Sequence, residues 1–114
     1  MATTPEGKVK DRCKALLKKY GAWYFMPVQS GYGVAGVPDI LCCLPPHGKF
    51  LAIETKAPGK LSTLRPAQKM QIEAIRSAKG YAMVIDDAEL LADFLKSLAD
   101  EGLAQVQSDS AQSE

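Results

Sequence analysis

The chain has 114 residues, 46% of them apolar and 24% charged, the composition of one globular domain with room for a single core. No apolar run approaches the roughly 18 residues of a membrane span, residues 1–8 lack the apolar stretch of a signal peptide, and three cysteines, two of them adjacent, make no disulfide framework, so an intracellular, cytoplasmic protein with reduced thiols is expected. The formal net charge of +1 hides an asymmetry: residues 1–85 carry 13 basic against 5 acidic side chains, a net +8, and residues 86–114 carry 1 against 8, a net −7. A surface as positive as that of the first 85 residues suits contact with a phosphate backbone.

In chain order, Thr4-Pro5 signals a helix start and Gly21 a stop, with Val9, Cys13, Leu16, Leu17 and Tyr20 as the buried stripe. Glu6 continues that stripe at its N-terminal end and points inward, although a first-turn acid is also favoured by the helix dipole alone. Lys8, Lys10, Arg12, Lys14 and Lys18 occupy the outer surface, available to phosphates. The aromatic run Ala22 to Val28 predicts a strand, placed at an edge or a strand end by Pro27. The glycine-rich stretch Gln29 to Gly36 predicts a loop able to approach a backbone or a ligand, with Ser30 and Tyr32 as candidate DNA contacts. It lacks the Gly-x-x-x-x-Gly-Lys pattern of a phosphate-cradling loop, so no nucleotide cofactor is expected.

The next stretch carries the chemistry. Gly36-Val37-Pro38-Asp39 precedes the apolar run Ile40 to Leu44, Pro45-Pro46-His47-Gly48 forms a turn, and Lys49 to Lys56 follows, which predicts a hairpin. With those four residues as the loop, Leu44 pairs with Lys49 and, counting outward, Asp39 falls opposite Glu54. Two carboxylates opposed on one face, with Cβ atoms roughly 5 Å apart, destabilise a sheet unless something compensates, and a divalent cation does so. The strand period of two puts Lys56 on the face of Glu54 and turns Leu51, Ile53 and Thr55 to the other. Cys13, Cys42, Cys43 and His47 lack paired zinc-ligand spacing, so buried structural thiols are expected.

Beyond the hairpin, Ala57 to Leu61 predicts a turn, and Ser62 or Thr63 the cap of a helix running to about Ala78, with Gly80 as its stop. Leu64, Ile72 and Ile75 mark its inner face, and Gln68 shares that face near the helix start. Tyr81 to Ile85, short and wholly apolar, predicts a strand central in the sheet. Asp86 or Asp87 caps a third helix with the stripe Leu90, Leu91, Phe94, Leu95 and Leu98. The domain is expected to span 1–104, and residues 105–114, rich in Ser and Gln, to form a disordered polar tail.

Pro38-Asp39, followed at hairpin spacing by Glu54-Thr55-Lys56, resembles the Pro-Asp…(Asp/Glu)-x-Lys nuclease superfamily. Gly36-Val37-Pro38-Asp39 and Ile53-Glu54-Thr55-Lys56 look most like its VRR-NUC branch, in the standalone form found in phages and bacteria, and the likeness takes in Glu6, Leu61, Ser62 and Gln68. The resemblance implies an α/β domain with a restriction endonuclease-like core, order α-β-β-β-α-β-α around a mixed four-stranded sheet. It also implies a nuclease, homodimeric and acting on branched DNA such as Holliday junctions, in the cytoplasm of a bacterial cell or phage-infected host. Asp39, Glu54, Lys56 and Gln68 are then the expected catalytic residues. Mg²⁺, or Mn²⁺ in its place, would be held by Asp39, Glu54 and the main-chain carbonyl of Thr55, hard oxygens that suit it, with Glu6 completing the site. Lys8, Lys14, Ser30, Tyr32, Lys60 and Arg65 are the expected DNA contacts. A nuclease for flaps, nicks or duplex DNA, or a catalytically silent DNA-binding module, is the alternative.

Overall fold

The computed structural model describes residues 4–28 and 33–112, with side chains to residue 101; Ser30 and Tyr32 lie outside the described residues. Its elements follow the order α1 (Pro5–Lys19), β1 (Trp23–Phe25), β2 (Ile40–Leu44), β3 (Lys49–Thr55), a 3₁₀ turn (Leu61–Thr63), α2 (Pro66–Ser77), β4 (Tyr81–Ile85) and α3 (Ala88–Gln112). No described helix is long and apolar enough to cross a membrane.

The sheet order is β1-β2-β3-β4, antiparallel except for the parallel β3–β4 pair. The hairpin has the expected register, from Leu44↔Lys49 to Ile40↔Ile53. β1 is shorter than the aromatic run suggests and ends before Pro27, which cannot donate to a ladder. β4 is an edge strand rather than a central one. It is apolar because both its faces are covered: Ile85 packs with α1 and α3, and Ala82 packs with α2.

Alternation sorts the side chains into two layers. Ile40, Cys42, Leu44, Leu51, Ile53 and Ile85 face Val9, Cys13 and Leu17 of α1 and Ala88, Leu91 and Leu95 of α3. On the opposite face Ala52 and Ala82 meet Ile72 of α2, with Leu41, Ile75 and Val84 at the margin. Leu90, placed in the α3 stripe by spacing, is instead 48% exposed. All three cysteines are free; Cys43, expected to be buried, is exposed because alternation turns it away from the α1–α3 core, whereas burial raises the thiol of Cys13 to about 11 and that of Cys42, with Cys13 beside it, to about 12, so those two are unreactive packing groups.

The helix ends follow local chemistry. Thr4 Oγ1 accepts the Gly7 N–H at 3.0 Å, and α1 closes with Ala22 N–H to the Leu17 carbonyl and Gly21 N–H to that of Lys18 around Gly21 at φ +74°. α2 starts later than expected: Leu61–Thr63 is a separate 3₁₀ turn, and the helix begins at Pro66, whose fixed φ and missing N–H suit a first position. The Asp87 side chain accepts the Glu89 N–H at 2.9 Å and starts α3. That helix runs on to Gln112, through most of the stretch expected to be a disordered tail; no glycine or proline follows Gly102.

α2 ends with the same pair of bonds as α1, Gly80 N–H to Ile75 and Lys79 N–H to Arg76, but the left-handed position falls on Lys79, at φ +72°. Gly80 serves packing, since a Cβ there would come 3.2 Å from the Phe50 ring. Lys79→Gly removes the steric penalty of that conformation and is expected to raise stability by about 1 kcal/mol in urea denaturation. An unchanged or lower midpoint would contradict this account of the helix end.

Candidate functional site

The site forms where β3 passes the start of α2. Asp39 lies one residue before β2, so the hairpin register continued by one pair sets it opposite Glu54. Glu54, Thr55 and Lys56 are buried, as is Gln68, although all four are polar or charged. Burial of this kind requires internal partners, and Gln68 supplies most of them. Its Oε1 accepts from Lys56 Nζ at 3.1 Å and from the Arg65 backbone N–H at 2.9 Å, while its Nε2 donates to Glu54 Oε2 at 3.1 Å. Lys56 Nζ is 3.9 Å from the same Glu54 oxygen. Gln68 thus closes the first turn of α2 and joins the lysine to the carboxylate.

Asp39 is held separately. Its Oδ2 accepts from the Thr55 N–H at 2.9 Å and from Thr55 Oγ1 at 2.7 Å, and its Oδ1 is 3.9 Å from Lys10 Nζ. Lys10, expected on the outer surface with its basic neighbours, therefore faces the site. A signal for this lies in the sequence: Lys10 stands four residues after Glu6, on the same side of α1.

Burial is the main cause that pushes the Glu54 carboxyl up to about 7, from an ordinary value of 4.5; the charge of Asp39 adds to it and that of Glu6 adds less, against the opposing pull of Lys56 and Lys10. A carboxylate so placed gains from any cation that enters beside it. Among the described residues, no three His, Cys, Asp or Glu side chains stand close enough together to hold a metal ion. Asp39 and Glu54 are instead engaged with Thr55 and Gln68, and Glu6 acts on Glu54 through its charge.

The end of the glycine-rich stretch, Ala35 and Gly36, is fastened to this site. Gly36 has φ +79°, and a Cβ built on it would overlap the Ala67 carbonyl and come 2.6 Å from the Gln68 nitrogen. Gln71 Nε2 also donates to the Ala35 carbonyl at 3.4 Å. The loop that leads into Asp39 is thereby packed on the helix turn that carries Gln68.

The remaining expected DNA contacts are dispersed. Lys8 is exposed and lines a cleft of about 520 Å³ with Pro5, Arg12, Pro58 and Asp86. Lys14 pairs with Asp11 at 3.3 Å. Lys60, midway along the segment between β3 and α2, and Arg65, at its end, are exposed, and Arg65 adjoins the site through its bond to Gln68.

No protein-family model matches the sequence, and no curated protein is similar to it. Among solved structures, the chain is similar to one described as a VRR_NUC domain, with a TM-score of 0.63 and 21% identity over 82% of this chain and 97% of that one. The element order, the mixed four-stranded sheet and this likeness agree: the chain has the fold of the VRR_NUC domain.

Proposed function

We propose that this protein is a metal-dependent DNA endonuclease that hydrolyses phosphodiester bonds, acts on branched DNA such as a four-way junction, and works as a homodimer. The observation that carries the reading is the buried Glu54–Gln68–Lys56 chain beside Asp39. Burying a carboxylate, an ammonium and an amide together costs a fold stability, and such desolvated, charge-coupled clusters gather at functional sites. Asp39 and Glu54, with the Thr55 carbonyl, offer hard oxygens, and Glu6 adds a further acid nearby. That donor set fits Mg²⁺ or Mn²⁺.

When bound, the metal supplies a hydroxide at neutral pH and charge neutralisation on the phosphate. The chain's own residues supply the rest. Lys56, kept in place by Gln68 and Glu54, is positioned to hold the attacking water or to stabilise the negative charge that develops as water adds to phosphorus and the alkoxide departs. Gln68 fixes where that ammonium points. The basic surface of residues 1–85 brings in the phosphate backbone, with affinity that falls steeply with salt. A dimer would set two such sites where a four-way junction presents two matching strands.

The test is incubation with four-way, flapped, nicked and plain duplex DNA, each with chelator, Mg²⁺ or Mn²⁺. Divalent-dependent nicks near the branch point are expected, and light scattering should give twice the 12.3 kDa chain mass. No cleavage of any substrate under any of these conditions defeats the reading. Ca²⁺, an oxygen-seeking cation poorly matched to a site suited to Mg²⁺, is expected to strengthen DNA binding without cleavage; Lys56→Met is expected to lose about 10²-fold in rate and to keep that gain in binding. If the Ca²⁺ effect disappears too, Lys56 holds the site together rather than acting on the phosphate.

A further inference from the structure

One face of the sheet is only half covered. The registers Trp23↔Cys43↔Phe50 and Phe25↔Leu41↔Ala52 place Trp23, Phe25, Cys43 and Phe50 on the side that α2 occupies, because directly paired residues share a face. α2 packs on Ala52 and Ala82, toward β4. The half toward β1 is open: Trp23 is 63% exposed, Phe25 51% and Phe50 42%. Trp23 and Phe25 are nearly parallel, their centroids 6.4 Å apart and their planes inclined by 14°.

This strip belongs to the catalytic face. Along β3 the alternation Phe50, Ala52, Glu54 keeps all three on one side. Phe25 sits one strand over and two residues along from Asp39, on the order of 8 Å between Cα atoms at ordinary strand spacings. Acids are few in the chain segments that carry the strip. Between residues 12 and 53 Asp39 is the lone acid, and exposed Lys49 and Lys79 flank Phe50, one beside it in the chain and the other next to Gly80, against which its ring packs.

We infer that the Trp23–Phe25–Phe50 strip is a stacking platform for the unpaired bases of a DNA strand that leaves the branch point beside the scissile phosphate. Every base offers a π face to such rings, whereas a base inside a duplex already stacks on its neighbours. The inference rests on the nuclease reading and, within branched DNA, shifts the preferred substrate from the fully paired four-way junction to branches that carry a single-stranded arm. A second copy of the chain fits the strip less well. Three side chains of about 150–250 Å² each, exposed to these fractions, present roughly 350 Å², under half of the ~800 Å² per partner in a stable interface.

Trp23 is the only tryptophan, so its fluorescence reports on the strip directly. In chelator and at fixed salt, oligothymidylate is expected to quench it, and a duplex of equal length to leave it nearly unchanged. Trp23→Ala, Phe25→Ala and Phe50→Ala should each weaken oligothymidylate binding about 5- to 20-fold, read by anisotropy of a labelled strand, while Trp23→Phe keeps the affinity within about twofold. Absence of quenching, or wild-type affinity in all three alanine variants, overturns the inference. It also fails if Trp23→Ala splits a dimer, seen by light scattering, without weakening oligothymidylate binding. Quenching by a wild type that cuts no DNA in Mg²⁺ or Mn²⁺ would instead leave the platform standing and remove the nuclease reading.

Discussion

Glu54→Gln is expected to lose divalent-dependent cleavage by at least about 10³-fold, near 4 kcal/mol of transition-state stabilisation at 1.36 kcal/mol per tenfold, and to gain stability at the same time. The two effects have one cause. Glu54 is buried beside Asp39 with its carboxyl raised to about 7, so the folded state holds its proton more tightly than the unfolded chain, where the value is near 4.5. Stability from this group is therefore fully present below about 4.5 and lost as pH rises through 7, the reverse of an ordinary paired carboxylate. A shift of that size corresponds to roughly 3 kcal/mol at 1.36 kcal/mol per unit. Glutamine keeps the shape, and its carbonyl can still accept from Gln68 Nε2, but it never ionises. The variant should come close to the wild type near pH 4.5 and exceed it by about 3 kcal/mol at pH 8. Urea denaturation of both proteins at the two pH values measures this, and the wild type losing no more stability than the variant across that range would reject the assignment of Glu54 as a destabilised buried acid.

Gly36→Ala is the second large effect, and it operates at a distance from the chemistry. The substitution adds a Cβ at φ +79° against the Ala67 carbonyl and the Gln68 nitrogen, main-chain atoms that no rotamer change can move aside. The left-handed conformation alone costs an alanine about 1–2 kcal/mol. The overlap forces either the loop or the first turn of α2 to shift, for a total of about 3 kcal/mol or more. Because that turn carries Gln68, the displacement also loosens Lys56 and Glu54, and activity is expected to fall beyond what the unfolded fraction explains. Thermal unfolding followed by circular dichroism, with rates corrected for the folded fraction, separates the two losses. Wild-type stability in Gly36→Ala would show that the loop does not press on α2.

Both effects act on residues whose placement is partly legible in the chain itself. The hairpin is legible because a four-residue Pro/Gly turn sets its register, and register decides which side chains share a face. Asp39, Glu54 and Lys56 then follow from counting. Gln68 is legible as an inward residue near a helix start, but its bond to the Arg65 N–H is not, since a start at Ser62 or Thr63 would place it deeper in the helix.

What the sequence by itself determined is everything carried by local periodicity and turn chemistry: α1 and its caps, the hairpin and its register, the alternation that turns Glu54 and Lys56 to one face, and the fold order. Tertiary structure decided what depends on contacts between segments distant in the chain. It put β4 at an edge, because an apolar strand needs two covered faces and not two neighbouring strands. It brought Lys10 to Asp39, 29 residues away, and Gly36 onto Ala67. It also left the β1 half of a sheet face open, because α2 is short and packs on β3 and β4 rather than reaching the far edge. Each of these outcomes turns on which surface another element covers, and helix and strand periods state only which surface needs covering.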